Sequence, residues 1–69
     1  MVKRQYTVTL KNGIVQEVIR EEQENHSAIG LWRYILKIRS SEETVIEFTD
    51  CVILASEIAM ISEGKEIND

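Results

Sequence analysis

The amino-acid sequence predicts a small all-β fold in which five short strands close into a barrel. Apolar and polar residues alternate in several segments, which is typical of strands with one buried face. The dipeptide Asn12-Gly13 separates the first two of these segments and favours a tight turn between strands. Because the chain has 69 residues, of which 43% are hydrophobic and 29% charged, we expect one globular domain with a thin core.

The first two strands are expected to form a hairpin around Asn12-Gly13. Thr and Val alternate in the segment YTVTLKNGIVQEVI, and Asn-Gly is the dipeptide that best supplies the two positive φ values of a type I′ turn. Closing that turn pairs Tyr6 with Ile19 and leaves Glu17 among apolar residues. Either Glu17 lies at a sheet edge, or a bulge early in the second strand shifts the register and brings Val18 inward.

Residues 20–30, REEQENHSAIG, are polar and acidic at their start and predict a loop. A helix near residues 15–25 is the alternative, which would make the fold α+β. Val15, Val18 and Ile19 could begin an amphipathic helix, but no apolar residue continues their stripe over the following turns.

Residues 31–39, LWRYILKIR, predict the third strand because their side chains fall into two alternating sets. The set expected in the core is Trp32, Tyr34, Leu36 and Ile38. The opposite face would carry Leu31, Arg33, Ile35, Lys37 and Arg39. The segment ETVIEFT, residues 43–49, predicts the fourth strand, and pairing the apolar faces puts Arg39 opposite Glu43 across an odd-length loop.

The last apolar segment, CVILASEIAMISE, occupies residues 51–63 and fits either a strand or a helix. In the helical alternative Ser56 caps a helix over residues 56–63, and Gly64 ends it. Such a helix would have only about two turns, and helices that short are marginal without strong packing. We therefore favour strands in this segment.

Residues 51–54 are predicted to form a strand, residues 55–57 a 3-10 turn started by the hydroxyl of its serine, and residues 58–62 a further strand. Five short strands with a late 3-10 turn describe an SH3-like barrel. The domain would span residues 1–62, and residues 63–69 would form a flexible polar tail.

The layout VTLKNG followed by FTDCVILASEIAMI resembles small SH3-like barrel proteins encoded by phages and prophages of Gram-positive bacteria, over most of residues 6–62. The resemblance implies the barrel fold, and many of those proteins have no assigned role. A second comparison is the Sm-like fold, whose members form rings that bind RNA. The turn Phe48-Thr49-Asp50 matches the position of the Sm turn motif but lacks its Arg-Gly.

Charge and hydropathy restrict the expected partners. The chain has a net charge of −4 and a pI near 4.9, so the molecule as a whole repels phosphate backbones. Binding of nucleic acid would therefore require a local basic face. No apolar run approaches a membrane span, and the first residues lack the apolar core of a signal peptide, so we expect a cytoplasmic protein without a membrane partner. The single cysteine, Cys51, cannot form a disulfide within the chain.

No catalytic or cofactor-binding pattern is found in the sequence. His26 with Glu21, Glu22 and Glu24 is the one cluster that holds both histidine and carboxylates, and solvated loop charge explains it better than a metal site. Cys51 has no nearby base that could make it a nucleophile, and the glycines do not form a phosphate-binding loop. We expect neither an enzyme, nor a bound metal, nor a cofactor.

The candidate binding face is the side of the third strand that mixes cations and aliphatic side chains: Leu31, Arg33, Ile35, Lys37 and Arg39. Such a face could contact an acidic protein surface, a phosphate backbone or a neighbouring copy of the chain. Internal pairing with Glu43 and Glu47 on the next strand is the competing explanation. The sequence thus favours a non-catalytic interaction module that self-associates or binds a protein partner; the alternative is an Sm-like oligomeric ring that binds nucleic acid.

Overall fold

The computed structural model describes residues 1–62 and 64–67. In these residues the chain is mostly β, with one α-helix and one 3-10 turn. The elements in chain order are β1 (Val2–Leu10), β2 (Val15–Glu22), α1 (Ala28–Lys37), β3 (Val45–Glu47), β4 (Val52–Leu54), the 3-10 turn (Ala55–Glu57), β5 (Ile58–Ile61) and β6 (Lys65–Ile67). The prediction of a small, mostly β fold is confirmed.

The strands of the described residues form two sheets. The long strand β1 pairs antiparallel with β2 along one edge and with β5 and β6 along the other. The strands β3 and β4 form a separate antiparallel pair. Over the described residues these sheets do not close, so the five-stranded barrel is not confirmed.

The hairpin between β1 and β2 differs by one residue from the predicted register. Tyr6 lies opposite Val18, and the backbone N–H of Leu10 donates to the carbonyl of Ile14 across a three-residue loop. Gly13 has a φ of 90°, whereas no other described residue of this loop has a positive φ, so the turn is not type I′. Val18 is therefore buried, as in the shifted register that the sequence left open.

Residues 31–39 do not form a strand, and this prediction was wrong. Ser27 caps α1, because its Oγ accepts a hydrogen bond from the N–H of Gly30 at 3.0 Å. Ala28 and Ile35 are buried and Leu31 is half-buried, a spacing of three and four residues that puts them on one side of a helix. The only α-helix within the described part of the chain thus lies outside both segments, 15–25 and 56–63, that we considered for one.

Because residues 28–37 form a helix and not a strand, different side chains of this segment enter the core. Tyr34, Leu36 and Ile38, which alternation placed inside, are each about half exposed. The buried apolar side chains are Tyr6, Val8, Val18, Ala28, Ile35, Ile46, Phe48, Ala55, Ile58 and Ile61. The core therefore lies where the inner face of the β1 sheet meets α1 and the β3–β4 pair.

The final segment follows the prediction closely. β4, the 3-10 turn and β5 occupy almost the predicted residues, although the Ser56 hydroxyl makes no capping hydrogen bond. Lys65–Ile67, which we expected in a polar tail, pair with β1 instead. Residues 63, 68 and 69 of that predicted tail lie outside the described residues.

The pairing of β1 shifts by one residue between β5 and β6, since Val8 lies opposite Ile61 whereas Lys3 lies opposite Ile67. At the shift, Ser62 donates its N–H to the Thr7 carbonyl at 2.9 Å, and its Oγ accepts from the Thr7 N–H at 3.2 Å. The backbone of β1 therefore keeps its hydrogen bonds through the irregularity.

Candidate binding site

The predicted binding face is divided by the helix. Arg33 and Lys37, four residues apart, both lie on the solvent-exposed side of α1, and Arg39 is exposed just beyond its end. Ile35 is only 2% exposed, and Leu31 is half-buried against the core. The three cations thus remain at the surface, whereas the two aliphatic residues predicted beside them point inward.

The expected internal pairing of the cations is not formed. Among the described residues, no ion pair or hydrogen bond joins the side chain of Arg33, Lys37 or Arg39 to a carboxylate, including those of Glu43 and Glu47. Within the described part of the chain, these positive charges are therefore available to contact a partner.

Other apolar side chains now lie beside the cations. Tyr34 is 59% exposed, Leu36 46% and Ile38 50%. Together with the cations they form what we call the α1 surface: Arg33, Tyr34, Leu36, Lys37, Ile38 and Arg39. Residues 28–39 contain no acidic residue, although the chain as a whole carries a net charge of −4. The α1 surface is thus a basic and partly apolar region on an acidic molecule.

A buried charge cluster lies on the inner side of the hairpin, and sequence reasoning missed it. Glu22 at the end of β2 is 3% exposed. Its carboxylate accepts hydrogen bonds from the Arg4 guanidinium at 2.6 Å, from the Arg20 guanidinium at 2.7 Å and from the Tyr6 hydroxyl at 2.5 Å. We call these four residues the Glu22 cluster.

The Glu22 cluster connects the sheet to the other elements. The hydroxyl of Tyr6 also accepts from the N–H of Ala28 at 3.0 Å, which ties the first residue of α1 to β1. Arg4 donates to the Glu24 carbonyl at 2.7 Å, and Arg20 donates through Nε to the Glu47 carbonyl at 3.2 Å. One buried carboxylate thus organises the contacts of β1 and β2 with α1 and β3.

The ionisation of the cluster follows from these contacts. Burial alone would raise the pKa of Glu22, but the hydrogen bonds from Tyr6, Arg4 and Arg20 outweigh it and hold that pKa below its usual value. Burial, together with the hydrogen bond to the Glu22 carboxylate, raises the pKa of Tyr6. At neutral pH the cluster therefore combines an ionised carboxylate with a neutral phenol.

The alternation of residues in β2 contains a sequence signal for this cluster, but the predicted hairpin register differed by one residue from the observed one. Side chains on one face of a strand recur every second residue, so Val18, Arg20 and Glu22 share the face that is buried. Arg4 lies opposite Arg20 on the same face of β1. A carboxylate in phase with the buried valine could have indicated a paired internal charge.

An open cleft of about 750 Å³ lies between β1 and α1, beside the cluster. Its polar lining includes Arg4 and Tyr6 from β1, Arg33 from α1, and Asn25 and Ser27 from the loop that connects β2 to α1. Ile29 and Ile61 supply apolar walls, and Glu24 adds one carboxylate. The cleft joins the buried cluster to the α1 surface through Arg33.

The remaining candidates do not converge on a site. Over the described residues, no group of three potential metal-ligating side chains comes together, and the carboxylate of Glu22 points to the arginines rather than to His26. Burial and the neighbouring Asp50 raise the pKa of the Cys51 thiol, which disfavours the thiolate form that a nucleophile requires.

Comparison with models of protein families, with curated proteins and with solved structures found no match. The resemblance to phage-encoded barrel proteins therefore stays a prediction. In the described part of the chain, no helix is long and apolar enough to cross a membrane.

Proposed function

We propose that this protein is a non-catalytic interaction module that binds an acidic protein surface through the α1 surface. The observation that supports the proposal is the mixture of three cations without a carboxylate partner in the described residues and three half-exposed apolar side chains. Arginine and aromatic side chains are enriched where proteins bind each other, because they combine apolar contact area with directional hydrogen bonds.

A second copy of the chain is the first partner to consider. The chain has 12 acidic residues, all of them outside residues 28–39, and the described ones other than Glu22 are exposed, so one copy presents acidic surface to the basic α1 of another. A small domain with a thin core also gains stability when apolar surface is covered by association. Self-association is therefore the form of the proposal that is tested most directly.

The nucleic-acid ring has less support. It required a basic strand face on a closed barrel, whereas the basic residues lie on a helix and the described sheets stay open. The negative net charge also opposes approach to a phosphate backbone. We therefore favour a protein partner. The salt dependence of binding distinguishes a protein partner from a nucleic acid.

The test uses two charge-reversed variants, Arg33→Glu/Lys37→Glu and the control Lys11→Glu/Lys65→Glu. Both change the net charge equally, but Lys11 and Lys65 are exposed residues far from α1 in the sequence and outside the α1 surface. Light scattering after size exclusion measures the molar mass of each at low and high salt. We expect the wild type and the control to associate and the α1 variant to be monomeric.

Binding to other partners is measured by fluorescence of Trp32, the single tryptophan, which lies on α1. A glutamate-rich peptide and a single-stranded RNA are the two probes. The proposal requires the peptide response to be lost in the α1 variant and kept in the control. Equal masses and equal peptide responses in the two variants would contradict it, and an RNA response that falls steeply with salt would favour the nucleic-acid reading.

A further inference from the structure

We propose that the cleft between β1 and α1 is a binding site for the phosphate or carboxylate group of a small ligand. This site is separate from protein binding by the α1 surface, although both use Arg33.

The polar groups that line the cleft are mostly hydrogen-bond donors. Arg4 and Arg33 reach it from different elements, and Asn25 and Ser27 add an amide and a hydroxyl. Because the Ser27 oxygen accepts from the Gly30 N–H, its own proton can be donated to a ligand. Two guanidinium groups against the single lining carboxylate, that of Glu24, favour an anion.

Arg4 is held in place before any ligand binds. One Nη donates to the Glu22 carboxylate and the other to the Glu24 carbonyl, and its side chain is 17% exposed. A guanidinium has five N–H groups, so these two contacts leave donors unused. Arg20, which does not line the cleft, also donates to the Glu22 carboxylate, so Glu22 keeps a cationic partner outside the cleft. A ligand would therefore meet an ordered cation without displacing the Glu22 cluster.

The volume of the cleft is compatible with a small-molecule ligand. A volume of about 750 Å³ lies within the range of roughly 300 to 1,000 Å³ that is usual for small-molecule sites. Ile29 and Ile61 line it beside the polar groups, so a ligand with an apolar or ring portion attached to its anionic group fits both parts.

The test is a titration followed by the amide resonances of Asn25 and Ser27 in a proton–nitrogen correlation spectrum. The probes are inorganic phosphate and acetate, each compared with sodium chloride at the same ionic strength. We expect saturable shifts with at least one of the two probes. The probe that binds more tightly identifies the preferred anionic group.

Two variants on the same helix give the matched comparison. Arg33→Gln removes a cation that lines the cleft, whereas Lys37→Gln removes one from the α1 surface outside the cleft. Loss of one charge-assisted hydrogen bond predicts affinity about tenfold weaker for Arg33→Gln. Lys37→Gln should bind the probe like the wild type. Asn25→Ala provides a second cleft variant that leaves both helical cations in place.

The inference is overturned by shifts that do not saturate, by shifts that chloride reproduces, or by equal weakening in Arg33→Gln and Lys37→Gln. Its failure is distinguishable from failure of the proposed function, because Lys37 contributes to protein binding only. If the protein associates through α1 but binds neither phosphate nor acetate, only the proposed anion site in the cleft is refuted.

Discussion

The Glu22 cluster predicts a large effect from a nearly isosteric substitution, Glu22→Gln. The change replaces one carboxylate oxygen by an amide nitrogen and removes the negative charge that Arg4 and Arg20 share. Whichever way the amide is turned, one guanidinium then faces a hydrogen-bond donor instead of an acceptor. The two arginines would keep their positive charges and lose the one carboxylate that both of them contact.

The size of the effect follows from burial. Removal of one partner from a fully buried ion pair costs about 3 to 5 kcal/mol. The side chain of Glu22 is 2% exposed, but those of Arg4 and Arg20 are 17% and 22% exposed, so water can partly solvate them. We therefore expect a loss of about 3 kcal/mol, against a total of roughly 3 to 10 kcal/mol that is typical for a domain of this length.

Urea denaturation at pH 7 measures the loss, and Glu21→Gln is the matched control. Glu21 is the neighbouring residue of β2, but its side chain is 50% exposed, and its contact with Lys3 is a surface ion pair of 3.8 Å. Such a pair contributes about 0 to 1 kcal/mol. If Glu22→Gln unfolds at the same urea concentration as Glu21→Gln, the buried cluster does not stabilise the fold as argued.

Acid titration gives the same experiment a second readout. The folded-state pKa of Glu22 is lower than its ordinary value, so its contribution is complete above the unfolded pKa of about 4.3 and is lost as the pH falls through the folded pKa. The wild type should therefore lose more stability than Glu22→Gln on acidification below about pH 4.3. Parallel pH profiles would contradict the assignment of an ionised carboxylate.

Two glycine substitutions test the backbone geometry. Gly64→Ala would place a Cβ 2.6 Å from Cε1 of Tyr6, whose ring is fixed by the hydroxyl contacts to Glu22 and Ala28. We therefore expect the free energy of unfolding, measured by thermal denaturation, to fall by about 1 to 3 kcal/mol. Gly13→Ala meets no atom within 4 Å but requires a φ of 90°, so we expect a loss of about 1 to 2 kcal/mol and a smaller one for Gly13→Asn. An unchanged melting temperature in Gly64→Ala, or equal losses in the two Gly13 variants, would show that the respective argument is wrong.

The sequence was most informative where structure is local. The 3-10 turn and the strands on either side of it were predicted almost to the residue, because short apolar runs and one polar break fix that segment. Residues 28–38 could not be assigned in the same way, because apolar side chains occupy most positions and satisfy a period of two as well as a period of 3.6. The capping position of Ser27, within the segment interpreted as a loop, was the distinguishing signal.

The candidate site was only partly predictable. Arg33, Lys37 and Arg39 were identified as exposed cations, and they are exposed, but their neighbours changed because the element is a helix. The Glu22 cluster depended on a register shift of one residue in the first hairpin, and such a shift reverses which face of a strand is buried. Asn-Gly favours a tight turn in either case, so it could not decide between a two-residue and a three-residue loop.

The central place of β1 has a consequence for how the chain folds. Its partner β2 is adjacent in sequence, so that hairpin can form early, whereas β5 and β6 must reach the other edge of β1 across about 50 intervening residues. Until they do, β1 presents an unpaired row of backbone donors and acceptors that another unfolded molecule could occupy. We therefore expect β5 and β6 to pair late, and we expect productive folding to compete with intermolecular strand pairing at that step.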